Sequence, residues 1–482
     1  MKKKVDAEMK KILIVGGEAV PFASTGGLGD VMGSLPDALG NCGGVDVRAV
    51  MPLYSAVAKK FRDKMEKVCE FTVHLAWRRQ YCGVYAYKSG SATYYFVDNE
   101  YYFNRNTIYG QYDDGERYAF FCHAVMDMMP LLGFIPDVLH ANDWQAAMTI
   151  IYLKQKYAAD PRYANIKTVY TIHNIDYQGI FDFAILGDVF DLPASARSCV
   201  EFDGCINLTK GAIVSCDRLT TVSRRYAEEL QSPYFSGRLA AIICQYAYKT
   251  TGIVNGIDTA YYNPAGDSDI KFTYTIEDMA GKAQNKADLQ RMFGLPESAH
   301  TPMIAMVSRL ASHKGFDLVR CVLEEMLQWD IQFVLLGTGE KDLEGYFEDL
   351  AKRYPSKVGV VLAFNKALSK QIYAAADIFL MPSKSEPCGL SQMIASAYGT
   401  VPVVREIGGL FDTIHPYNPE TGEGNGVTFV SYNAHDMMDA VRRTVELYQD
   451  ADAWHKLVRN TMTKDFTWTA SAKGYLDLFN DL

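Results

Sequence analysis

The chain has 482 residues, 49% of them hydrophobic and 22% charged, with 37 glycines and 17 prolines. That is the composition of a globular protein of two or three domains, and it excludes fibrous and disordered classes. A formal net charge of −9 without a basic stripe argues against nucleic-acid binding, yet leaves room for a small anion in a locally basic pocket. Met1-Lys2-Lys3-Lys4 imitates a signal-peptide start, but the apolar run behind it covers only residues 12–15, too short for a secretion signal or a membrane span. The ten cysteines are scattered without a C-x-x-C pair or zinc spacing, which suits a reducing, cytoplasmic setting and no metal site.

Taken in order, short β-branched runs alternate with helical patterns. Lys11-Ile12-Leu13-Ile14-Val15, residues 45–51, 136–140, 167–172 and 218–222 read as strands of a parallel sheet covered on both faces. Between positions 71 and 97 the runs Val84-Tyr85-Ala86-Tyr87 and Tyr94-Tyr95-Phe96-Val97 suggest an antiparallel excursion. After a seam at 248–256 the series restarts with strands at 303–307, 333–336, 358–362, 378–381 and 401–404. The expected fold is therefore α/β, with two Rossmann-like doubly wound domains facing across a cleft. The expected boundaries are 1–250, 251–465 and a terminal amphipathic helix, 466–482.

Several stretches fall at strand ends, where such sheets bind ligands. Thr25-Gly26-Gly27-Leu28-Gly29-Asp30 follows the first strand and is expected to open a helix near Val31. Its backbone N–H groups suit an anion; a plain glycine turn capped by Asp30 is the alternative. It matches neither the dinucleotide fingerprint nor a P-loop, so no nicotinamide or P-loop nucleotide is expected. Arg309 and Lys314, after the strand at 303–307, are placed to neutralise a diphosphate, or are two surface cations. Leu336-Gly337-Thr338-Gly339 ends another strand and is weak by itself. In Pro382-Ser383-Lys384-Ser385-Glu386-Pro387-Cys388-Gly389-Leu390 a helix is expected from about Gly389. Glu386 beside free amides suits a neutral polyol such as a sugar, with a plain loop carboxylate as the alternative. His140, Asp143 and His173 end first-domain strands and can face the same cleft, although a strand-end histidine is more often structural.

Together these stretches resemble the bacterial and plastid glycogen and starch synthases, retaining glycosyltransferases of the GT-B architecture. The resemblance runs nearly end to end, through Thr25-Gly26-Gly27-Leu28, Asp143-Trp144, Thr171-Ile172-His173-Asn174, Tyr177-Gln178-Gly179, Asn255-Gly256-Ile257-Asp258, residues 307–315, Glu386 to Leu390 with Gln392, and Gly408-Gly409-Leu410. It implies transfer of glucose from a nucleotide sugar, usually ADP-glucose, to the non-reducing end of an α-1,4-glucan such as glycogen or a maltooligosaccharide, with no cofactor. It gives Arg309 and Lys314 the diphosphate, Glu386 the donor glucose, and the amides around Cys388, Gly389 and Leu390 its hydroxyls. Phe364 would lie against the adenine, Gly337 would join the donor site with Ser24, Thr25, Gly26 and Gly27, His173 would line the glucose pocket, and Asp143 the acceptor side. The terminal helix would cross back onto the first domain. Two positions depart from the family pattern: Ser24 replaces a lysine, and Asn142 replaces the second histidine of His-x-His-Asp-Trp. UDP-glucose as donor, or a non-catalytic glucan-binding role, are the competing readings.

Overall fold

The computed structural model of the protein describes residues 9–482, so the basic start Met1-Lys2-Lys3-Lys4 lies outside the described residues. The chain forms two compact units. One runs to Asn255 and takes in Trp468–Leu482; the other is Gly256–Thr467.

The first unit carries β1 (Lys10–Val15), β2 (Val45–Pro52), β3 (Glu66–Leu75), β4 (Arg78–Ser89), β5 (Ala92–Asp98), β6 (Val138–Asn142) and β7 (Lys167–Ile172). The strands β8 (Ile180–Phe181), β9 (Glu201–Phe202) and β10 (Cys205–Asn207) make a small antiparallel sheet. With β11 (Arg218–Thr221) and β12 (Thr250–Gly252) the main sheet has the order β12-β11-β7-β6-β1-β2-β5-β4-β3. Ile12, Leu13, Ile14 and Val15 are all buried, as a strand covered by helices on both faces requires. The antiparallel excursion is a three-strand meander at the edge of this sheet. Its last strand, β5, is antiparallel to β4 but parallel to β2.

The helix Trp468–Asn480 belongs to this unit and packs on the helix Gly27–Cys42. The Ser471 hydroxyl donates to the Val254 carbonyl at 2.5 Å. His140 does not face a cleft. It is fully buried, its ring centroid is 5.3 Å from that of Tyr475 and 5.8 Å from that of Phe479, and its Nε2 meets Thr171 Oγ1 at 2.6 Å. Burial holds it neutral, pushing its pKa down to about 3. It is a seat for the terminal helix.

The second unit is a parallel sheet of β13 (Met303–Val307), β14 (Gln332–Leu336), β15 (Val358–Val361), β16 (Ile378–Met381), β17 (Val401–Arg405) and β18 (Val427–Phe429). Its order is β15-β14-β13-β16-β17-β18. The chain leaves β13 towards β14 and β15, then returns to its other side at β16. The strand order therefore reverses between β13 and β16, and in open α/β sheets the crevice at such a switch point is where ligands bind. The first sheet reverses in the same way between β1 and β6. No helix among the described residues is long and apolar enough to cross a membrane.

Candidate active site

Three of the residues singled out by sequence lie at the second unit's switch point. Arg309 and Lys314 follow β13, and Glu386 follows β16. Lys314 Nζ donates to both carboxylate oxygens of Glu386, at 3.0 and 2.7 Å, and Ser383 Oγ donates to Glu386 Oε2 at 3.0 Å. Glu386 is buried at 6% exposure, so a charge there needs such partners. The Arg309 side chain is exposed and, among the described residues, its guanidinium has no partner. Lys314 thus gives two of its three N–H donors to a carboxylate and keeps one, while the Arg309 guanidinium is available.

Beyond Glu386 the backbone is irregular for longer than the sequence suggests. The helix begins at Ser391 rather than near Gly389, because Gly389 sits in the left-handed region at φ 72°. The buried Gln392 Nε2 donates to the carbonyls of Cys388 at 3.2 Å and Gly389 at 2.9 Å, and to Thr413 Oγ1 at 3.1 Å. A peptide is planar and trans, so pinning those two carbonyls turns the N–H groups of Gly389 and Leu390 the opposite way. Neither amide has a partner among the described residues. Gly408 backs this loop: at φ 44°, a Cβ there would lie 2.0 Å from the Glu386 carbonyl oxygen. The Gly409 amide donates to the same oxygen at 3.1 Å. Gly337 contributes by close approach, since a Cβ would sit 1.9 Å from Ser308 O, and its amide is already bonded to Val361 O at 3.1 Å. Phe364 presents a ring that is 83% exposed, just before Asn365, whose side chain caps the helix Lys366–Ala375.

In the first unit the loop after β1 is organised by a residue that the motif reading missed. Glu18 is buried, and its carboxylate accepts from the Thr25 amide and hydroxyl at 2.7 Å each and from the Gly29 amide at 3.0 Å. Burial nevertheless raises its pKa, against the lowering effect of those bonds and of the Gly26 amide. Several of the loop's donors therefore already enclose an internal anion. The helix opens at Gly27, a turn earlier than the expected Val31. Ser24 is exposed and its hydroxyl donates to Gly26 O at 3.3 Å. The only signal for Glu18 in the sequence is a carboxylate placed between a buried strand and a donor-rich Thr-Gly-Gly.

Asp143 and His173 meet at the ends of β6 and β7. Asp143 opens the helix Asp143–Gln155 at φ 55°, a conformation costly for a residue with a Cβ. Its Oδ1 accepts the His173 amide at 2.7 Å. Burial raises the Asp143 pKa to about 7, opposed by the amides of His173 and Asn174. Burial lowers that of His173 to about 3, so the ring is neutral. Next to them, Gly179 approaches Trp144 so closely that a Cβ would stand 2.9 Å from the indole, which brings Asp143-Trp144 and Tyr177-Gln178-Gly179 side by side.

Residues 11–245 match the family described as "Starch synthase catalytic domain", and 290–461 match "Glycosyl transferases group 1". The chain is 48% identical over 473 residues to a glycogen synthase of Bacillus cereus (strain B4264), covering 98% of this chain and 99% of that one. It belongs to the glycogen and starch synthase family. A glycogen synthase of Geobacillus thermodenitrificans is 46% identical over 474 residues, with 98% of each covered. Among solved structures, the catalytic domain of starch synthase IV from Arabidopsis thaliana, bound to ADP and acarbose, superposes with a TM-score of 0.89 at 30% identity, covering 98% of this chain and 99% of that one. The fold expected from the sequence, two α/β units with parallel sheets, is that of this glycosyltransferase family, and the chain is a glycosyltransferase.

Proposed function

We propose that the protein transfers glucose, with retention, from ADP-glucose to the non-reducing end of an α-1,4-glucan, elongating glycogen or a maltooligosaccharide in the cytoplasm. The second unit takes the nucleotide sugar and the first the acceptor. The observation that carries this reading is the Lys314–Glu386 pair at a switch point, beside two outward amides and an Arg309 without a partner among the described residues.

Breaking the bond from the anomeric carbon to phosphate leaves positive charge on the sugar and growing negative charge on the diphosphate. Arg309 and Lys314 stabilise that diphosphate more in the transition state than in the ground state, which raises the rate. They supply the electrostatics a metal ion supplies elsewhere, so the reaction needs neither metal nor cofactor. The Gly389 and Leu390 amides bind sugar hydroxyls, and Phe364 stacks on the base. Both carboxylate oxygens of Glu386 already accept hydrogen bonds, which makes it a poor nucleophile. Retention then follows from same-face attack, with the departing phosphate taking the acceptor's proton. The loop Ser24, Thr25, Gly26 and Gly27 contacts the donor through Ser24 and the Gly27 amide, since the Thr25 and Gly26 amides serve Glu18. His173 takes a hydroxyl of the glucose, and Asp143 the acceptor side.

A competition assay with labelled ADP-glucose, unlabelled UDP-glucose and a maltooligosaccharide primer tests this, with and without a chelator. Label should enter the glucan, resist the chelator and be diluted little by UDP-glucose. Efficient dilution would make the uridine sugar the donor; no incorporation would leave only a glucan-binding role.

A further inference from the structure

Asn142, the last residue of β6, occupies the position where the family motif carries a histidine. Its side chain is fully buried. Nδ2 donates to the Val15 carbonyl at 3.2 Å and the His140 carbonyl at 3.4 Å. Both are acceptors only, so rotating the amide by half a turn would set oxygen against oxygen, and the orientation is fixed. Oδ1 must then face the other way, where it lies 2.9 Å from His173 Nε2. An amide oxygen can only accept. We propose that Asn142 is a positioning residue that fixes the tautomer of His173, with the proton on Nε2 and the lone pair on Nδ1, so that Nδ1 is held ready to accept a hydrogen bond from a sugar hydroxyl.

Three further observations support this assignment. The ring is neutral across the physiological range, so exactly one nitrogen carries a proton. The His173 backbone is anchored independently by Asp143, which leaves the ring's own bond to Asn142 as the feature that sets its protonation. Among the described residues Nδ1 has no protein partner. That nitrogen is not sealed from solvent, so a water or a ligand hydroxyl can reach it. A histidine at position 142, titratable and able to donate or accept, would not impose a single tautomer; an amide anchored by two carbonyls does.

The assignment of the hydroxyl to a donor sugar rests on the proposed function, but the tautomer itself does not, and the two fail separately. The test is nitrogen NMR of the isotope-labelled full-length protein, with the His173 signals identified from their loss in His173→Gln. Wild type should show one protonated nitrogen, Nε2, and one bare nitrogen, Nδ1. In Asn142→Leu the ring should lose this bias and populate both forms, and kcat/KM for the donor should fall about five- to tenfold, the worth of one hydrogen bond. Asn142→His, which restores the family's residue and can donate or accept, should likewise let both His173 tautomers appear, and keeps the test open even if Asn142→Leu does not fold. A proton on Nδ1 in wild type, or an unchanged tautomer in a folded Asn142→Leu, would overturn the proposal. Absence of glucosyl transfer with the expected spectrum would instead remove the function while leaving the tautomer intact.

Discussion

Lys314 holds both oxygens of Glu386, at 3.0 and 2.7 Å, across the point where the second sheet reverses its strand order. The pair has two consequences. Neutralising Glu386 frees Lys314, and removing Lys314 leaves a nearly buried carboxylate without its cation, a change that costs several kcal/mol for buried pairs. Glu386→Gln should therefore fold normally and lower kcat by roughly 10²–10³, the usual effect of deleting one placed polar group at a reacting centre. Lys314→Ala should also lower the melting temperature. Steady-state kinetics with thermal melts separates the two; kcat for Glu386→Gln within threefold of wild type would remove Glu386 from the site.

Gly408 tests whether the Glu386 loop must be held where it is. Gly408→Ala adds a methyl 2.0 Å from the Glu386 carbonyl and keeps a φ of 44° that alanine adopts poorly. It should reduce kcat at least tenfold through displacement of the loop. Unchanged kinetics in a folded variant would show that the loop is not rigidly set.

Asp143 gives a stability trend with a definite sign. Its ordinary pKa is 3.8 and its folded value about 7, so between these the native state binds the extra proton. The stability this contributes is complete below pH 4 and lost as pH rises to about 7, by at most about 4 kcal/mol. Asp143→Asn has no such loss. The difference in melting temperature, Asn variant minus wild type, should grow from pH 5 to pH 8; a flat difference would show that Asp143 does not titrate there.

Ser24 stands where the resemblance expects lysine. It is exposed, and its side chain lies against Gly29, beside the Glu18 carboxylate that holds the Thr25 and Gly29 amides. Ser24→Lys should fold and lower the donor KM by adding a cation near the diphosphate. If donor KM and kcat are unchanged in both Ser24→Lys and Ser24→Ala, position 24 does not touch the donor.

The sequence disclosed what depends on continuous burial. Parallel strands such as β1, β13 and β16 are covered on both faces, so they appear as uninterrupted apolar runs and were legible. Strands of two or three residues, as in β8, β9 and β18, carry no periodicity and were not. The same holds in the site. Arg309, Lys314 and Glu386 stand at strand ends within motifs, and the structure brings Lys314 and Glu386 into contact. Glu18 acts by holding backbone groups of residues that do sit in motifs, and only its place between a buried strand and Thr-Gly-Gly marks it; Gln392 was named with its motif, but its hold on the Cys388 and Gly389 carbonyls was not legible there. His140 was ambiguous because a strand-end histidine looks alike whether it meets a ligand or, as here, Tyr475 and Phe479.

In the proposed reaction Arg309, which has no partner among the described residues, and the Lys314–Glu386 pair support retaining glucosyl transfer from ADP-glucose. Proton NMR of the reaction with a maltooligosaccharide, run in parallel for wild type and Arg309→Ala, tests it directly. The account predicts new α-1,4 linkages formed from ADP-glucose by wild type, and a fall in kcat of at least about a hundredfold in the variant with its fold intact. Inverted β-linkages, no elongation, or an Arg309→Ala enzyme as fast as wild type would contradict it.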